Sequence, residues 1–167
     1  MVTVLARPSF VLIVLMVESP AILVADDNAD DIELLRRSFD KAGFAQHFVA
    51  VSGGQAVIHY LKGEGIYGDR ERFPLPRLVL LDFKMQGITG AEVLQWIRQR
   101  PEFKGMPVII FTGSNYEEDV NRAYDLGANS YLVKPQTLDD LLSAVRQIGD
   151  FWLRLSQLPD RPSLRAS

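Results

Sequence analysis

From Ala21 onward, short apolar runs alternate with helical stripes along the chain. Ile22 to Ala25 is an apolar run of strand length that ends in acids. Ile32, Leu35, Phe39 and Ala42 then recur at spacings of three and four, which predicts an amphipathic helix capped near Asn28 and ended by Gly43. Phe48 to Val51 reads as a second strand, and Ala56, Val57, Tyr60 and Leu61 as the face of a second helix. Gly63 to Arg77 is polar and punctuated by Gly and Pro, long for a connection inside an α/β unit. Leu78 to Leu81 is the most continuous apolar strand, as a parallel strand covered on both faces should be. Val93, Leu94 and Ile97 mark a third helix that Pro101 stops, and Val108 to Phe111 a fourth strand. Val120, Ala123 and Leu126 give a fourth helix ended by Gly127, followed by a fifth strand at Tyr131 to Val133. Leu138, Leu141, Leu142, Val145, Ile148 and Trp152 trace one face of a long final helix.

Five β-α units in succession predict an α/β fold with a doubly wound parallel sheet. The domain is expected over residues 20–158, with 159–167 as a flexible tail too short to fold. Residues 1–19 stand apart. Arg7 precedes the apolar stretch Phe10 to Val17, and Met16 stands just before a natural start for the first strand. The first reading of this extension is a non-native or over-long start, the second a packed arm, the third an export signal.

Composition narrows the function classes. The 167 residues contain no Cys, which excludes disulfide scaffolds, thiol catalysis and Cys-ligated zinc and fits a reducing, cytoplasmic setting. A formal charge of -3 gives no long-range pull toward nucleic acid. The 2 histidines argue against a multi-histidine metal site. Phe10 to Val17 is far shorter than the ~20 residues a membrane-spanning helix needs.

The informative polar residues follow the apolar strands. Asp26 and Asp27 end the first, Asp82 the third, Thr112 the fourth and Lys134 the fifth. In an open parallel sheet, ligands bind beyond the carboxyl ends of the strands, where the strand order reverses. Each residue alone has a plain structural reading: the acids cap a helix or start a loop, Thr112 begins a turn, Lys134 lies on the surface. Together they place three carboxylates, a hydroxyl and an ammonium at one sheet edge. Clustered carboxylates repel one another unless a cation sits among them, and hard oxygen donors suit Mg²⁺.

Asp26-Asp27, Asp82, Thr112 and Lys134-Pro135 resemble the signature of a response-regulator receiver domain of two-component signalling. The likeness covers about residues 20–148 and includes the separations of Asp82, Thr112 and Lys134. It implies the flavodoxin-like strand order 2-1-3-4-5 with five helices. It implies that Asp82 accepts a phosphoryl group from a sensor histidine kinase. Asp27 and Asp82 would hold Mg²⁺, with Asp26 acting through water and the Lys84 backbone carbonyl as a further ligand. Lys134 and the Thr112 hydroxyl would bind phosphoryl oxygens, and a cis bond before Pro135 would aim Lys134 inward. Tyr131 would turn inward as Thr112 moves; considered alone, it reads as a half-exposed strand tyrosine. Two positions depart from the family: Gln86 stands where proline is common, implying a less rigid loop, and Lys84 is an unusual cation near the metal site, its side chain read as pointing outward.

The chain is expected to be a stand-alone receiver with no DNA-binding module after Leu158, and it resembles the small regulators paired with phytochrome kinases. The Gly63 to Arg77 insert and the closing aromatics carry that likeness. Phe151, Trp152 and Leu155 are expected at an interface, extending a homodimer face made by the fourth helix, fifth strand and fifth helix. The alternative is a pseudo-receiver that binds proteins without phosphorylation, against which the intact Asp27, Asp82, Thr112 and Lys134 argue. A phosphatase or nucleotide hydrolase would need a second acid where Lys84 stands, or a G-x-x-x-x-G-K-[ST] loop, and the sequence has neither.

Overall fold

A computed structural model describes residues 22–158; the expectations for residues 1–19 and 159–167 fall outside them. The chain runs β1 (Ile22–Asp26), α1 (Ala29–Lys41), β2 (Phe48–Ser52), α2 (Gly54–Lys62) and β3 (Leu78–Leu81). It continues through α3 (Gly90–Arg98), β4 (Val108–Thr112), α4 (Glu117–Asp125), β5 (Ser130–Val133) and α5 (Leu138–Gly149). The five strands pair in parallel in the order β2-β1-β3-β4-β5. That is the order the sequence implies.

Every residue of β1, β3 and β4 is buried, which is why these strands read as unbroken apolar runs. Alternate residues feed opposite faces. Leu23, Val79, Leu81 and Ile110 pack under Val57 of α2, Val93 and Ile97 of α3 and Ala123 of α4. Ile22, Val24, Leu80 and Ile109 pack under Leu35 and Phe39 of α1 and Leu141, Val145 and Ile148 of α5. With helices on both faces, β1 and β3 are the neighbours where the winding reverses, and in such sheets ligands bind beyond the carboxyl ends at this point.

Two elements differ from the periodicity. The final helix does not continue regularly to Trp152: α5 ends at Gly149 and a π-helical turn carries Asp150–Leu155. Leu138 is 62% exposed and leaves the buried face. The Gly63 to Arg77 segment is largely exposed but is anchored to α2 through Arg70, Tyr67 and Phe73. Gly63, at φ +71°, ends α2 in the left-handed region. Arg70 donates to the Tyr60 and Leu61 carbonyls at 2.8 Å each, satisfying acceptors that a helix end leaves open. Tyr67 and Phe73 pack on the Tyr60 ring, whose phenol is pushed up to about 12 by burial.

Candidate functional site

The sheet edge is assembled by strand ends. Asp26 is the last residue of β1 and is buried, while Asp27, one residue on, is exposed. Asp82 directly follows β3, and its N–H donates to the Ala25 carbonyl at 2.9 Å, extending the β1–β3 ladder by one bond. Thr112 ends β4 and is buried. Lys134 follows β5, its N–H donating to the Thr112 carbonyl at 2.8 Å. One oxygen from each of Asp26, Asp27 and Asp82 falls within 4.8 Å of the others.

Lys134 reaches into this cluster from the end of β5. Its Nζ donates to Asp26 Oδ2 at 2.5 Å, Asp31 Oδ2 at 2.7 Å and Asp82 Oδ2 at 3.1 Å. Burial works against the charged ammonium, but the bonds to Asp26 and Asp31 and the charge of Asp82 outweigh it. Lys134 therefore titrates above its ordinary range. Asp26 behaves oppositely. Burial raises its pKa, and the bonds from Lys134 and from the Asn28 N–H do not fully compensate. A single ammonium is thus shared by three carboxylates, and Asp27 lies beside two of them. The negative excess and the all-oxygen donor set fit a hard divalent cation.

The residues expected at the site are brought together at this edge, with differences in detail. The Lys84 N–H donates to Asp82 Oδ1 at 3.1 Å, which sets its backbone against the cluster. Its side chain does point outward, but Nζ reaches Asp119 Oδ1 at 2.9 Å on α4. Ser114 Oγ donates to the same carboxylate at 2.5 Å. These bonds, Lys84 first, hold Asp119 below the usual carboxylate range. Gln86 ties its loop down in a way that proline could not, its N–H donating to Asp27 Oδ2 at 2.8 Å. Tyr131 packs at 6.2 Å edge-on to Phe83 and donates its phenol to the Ser114 carbonyl at 2.9 Å. The bond before Pro135 is not cis: no described residue has a cis peptide bond, and Lys134 reaches all three carboxylates with a trans bond. Trans is also the ordinary preference of X-Pro bonds, by roughly 0.5–1 kcal/mol.

Sequence reasoning missed Asp31 and Asp119. Asp31 stands in the helix start that Asn28 caps, the Asn28 Oδ1 accepting from the Asp30 N–H at 2.9 Å and the Asp31 N–H at 3.4 Å. Its place in the first turn of α1, five residues after Asp26, is the signal the sequence offers. Phe151, Trp152 and Leu155 lie on the π-helical turn beyond α5.

Comparison with known proteins identifies the family. The response regulator receiver domain model matches residues 22–146. The chain is 36% identical over 148 residues to the probable methanogenesis regulatory protein FilR2 of Methanothrix harundinacea, covering 87% of this chain and 92% of that one. To the response regulator Rcp1 of Synechocystis sp. it is 35% identical over 138 residues, covering 83% and 92%. The phosphorylated cyanobacterial phytochrome response regulator RcpA superposes with a TM-score of 0.77 at 33% identity, over 84% of this chain and 99% of that one. The Mn(2+)-bound form of Rcp1 gives 0.72 at 34% identity, over 84% and 99%. With the aspartates, Thr112 and Lys134 gathered at the edge where the family carries its signature, the chain belongs to the response regulator receiver domain family.

Proposed function

We propose that the chain is a phosphoacceptor: Asp82 takes a phosphoryl group from a phosphohistidine on a sensor kinase and thereby changes which partners the chain binds. The observation that carries this reading is Asp82, buried at the end of β3, with Lys134 Nζ 3.1 Å from its Oδ2 inside the carboxylate cluster. An Asp82 oxygen forms the bond to phosphorus as the P–N bond breaks. The imidazole nitrogen leaves with the electron pair, and the product is an acyl phosphate. Lys134 donates to a phosphoryl oxygen as a compact point charge, and the Thr112 hydroxyl donates to another.

Asp26, Asp27, Asp82 and the Lys84 carbonyl would hold Mg²⁺, Asp26 through water, and the cation supplies neutralisation of charge on the phosphoryl oxygens. The uncompensated carboxylate charge and the manganese-bound Rcp1 support this assignment. For output, Thr112 moves toward the phosphoryl group and Tyr131 repacks behind it. The likeness to RcpA favours a phytochrome-type histidine kinase as donor, acting in the cytoplasm. The chain then signals as a partner or homodimer through α4, β5 and α5 rather than as an enzyme on outside substrates. Its only catalysis is its own phosphorylation and slow dephosphorylation.

Intact-mass analysis with acetyl phosphate and Mg²⁺ tests the acceptor. Wild type should gain one phosphoryl group and Asp82→Asn none. An equal adduct on the variant would reject Asp82, and no adduct on wild type would favour a phosphorylation-independent binding module.

A further inference from the structure

Of the three carboxylates around Lys134, two belong to the candidate metal cluster and one does not. Asp26 and Asp82 each have an oxygen in that cluster, whereas Asp31 stands in the first turn of α1, its side chain 33% exposed. Its Oδ2 nonetheless lies 2.7 Å from Lys134 Nζ, closer than Asp82 Oδ2 at 3.1 Å. An ammonium has three N–H bonds, and here all three are committed to carboxylates.

We propose that Asp31 acts through Lys134, competing with the incoming phosphoryl group for its ammonium, and so slows phosphoryl uptake at Asp82. The inference rests on the acceptor reading given above. Asp26 and Asp82 already fix the ammonium from two buried positions, so Asp31 adds little to its placement. What it adds is charge. With acetyl phosphate, an Asp82 oxygen bonds to phosphorus as the P–O bond to acetate breaks, and acetate leaves with the electron pair. The phosphoryl group then carries two negative charges where the Asp82 carboxylate carried one. A phosphoryl oxygen accepting from Nζ shares that nitrogen with Asp31 Oδ2. Two anionic acceptors of one ammonium lie roughly 5 Å apart or less, and they repel. Asp31 also keeps one N–H that the phosphoryl group would otherwise receive. Losing this carboxylate therefore favours the phosphoryl group on both counts.

The test follows the rate of phosphorylation against acetyl phosphate concentration, with Mg²⁺ saturating for each protein. Asp31→Asn should react about three- to fivefold faster than wild type, the size expected of one partly exposed charge. Asp31→Glu should return to the wild-type rate, which a merely structural role would not require. The Lys134 side-chain ammonium, followed by ¹⁵N NMR and assigned by its loss in Lys134→Arg, should shift in Asp31→Asn even without donor. A rate in Asp31→Asn equal to or below wild type, or an unmoved ammonium signal, overturns the role of Asp31 alone. Absence of uptake by wild type overturns the acceptor reading on which it depends.

Discussion

At the scale of residues, the site is held together by groups that would separate if they were alone. Asp26 bears the cost of this arrangement, because burial raises its pKa despite contact with Lys134. The sign of the consequence is fixed by linkage. Below the ordinary value of 3.8 the carboxyl is protonated whether the chain is folded or not, and it costs nothing. As pH rises through the higher folded value, the folded chain must ionise a buried group and loses stability. Asp26→Asn should therefore melt higher than wild type at pH 7 with a chelator present. The gain should be a few degrees, since about 1 kcal/mol shifts the melting of a domain this size by roughly 2–4 °C. The advantage should close as pH falls toward 3.8, and thermal melts across pH 4 to 8 check it. A constant advantage at every pH would assign the effect to packing instead. The Lys84–Asp119 pair is a weaker tie: with Lys84 58% exposed, Lys84→Ala should lower stability by at most about 1 kcal/mol in denaturant unfolding.

At the scale of elements, the loop from Asp82 to Thr89 is pinned by two glycines whose missing side chains make room for it. A Cβ at Gly90 would sit 2.1 Å from the Asp82 carbonyl oxygen, and one at Gly54 would sit 2.2 Å from the Ile88 carbonyl oxygen. Backbone on both sides leaves nothing flexible to yield. Gly90→Ala should cost about 1–3 kcal/mol in denaturant unfolding and slow phosphorylation, because the displaced backbone carries Asp82. A variant of unchanged stability would show that α3 can move away freely. Sequence patterning recovered the helices because each buries one stripe, as with Leu35 and Phe39 of α1, and β1, β3 and β4 because burial on both faces makes them short apolar runs. The candidate site was legible because Asp26, Asp82, Thr112 and Lys134 all stand at or directly after strand ends, where the topology converges. What patterning could not read depends on contacts distant in sequence. The Phe44 ring lies 2.3 Å from where a Cβ at Gly149 would stand, at the point where α5 gives way to the π-helical turn. The anchored insert rests on Arg70 reaching back to α2, and Asp31 on Lys134 reaching across from β5. No local pattern encodes such pairings.

At the scale of the whole molecule, output requires the buried edge to be felt on an outer face. One route is continuous: the Tyr131 phenol holds the Ser114 carbonyl, and Ser114 and Lys84 both hold Asp119 of α4. A shift of Thr112 thus reaches β5 and α4 through bonded neighbours. Tyr116 at 71% exposure, beside α4, and Val133 on β5 at 45% lie on that face, with Phe151 and Leu155 exposed beyond α5. Trp152 differs from these two, packing with Leu153 against the α1–α5 core, so truncating it would damage the monomer as well as any contact. The proposed interface is therefore tested better by Phe151→Ala with Leu155→Ala. Sedimentation should show that pair associating more weakly than wild type with unchanged melting, whether or not a phosphoryl donor is present. Thr112→Ala should instead keep basal association and lose the response to donor. Reversing a 1:99 equilibrium needs about 5.5 kcal/mol of differential binding. The charge-assisted bonds available to a phosphoryl group from Lys134 and Thr112 supply a few kcal/mol, so donor should shift the equilibrium partway. If the Phe151 and Leu155 variant associates as wild type does, the contact lies elsewhere; if Thr112→Ala still responds to donor, the route through Tyr131 is not the one used.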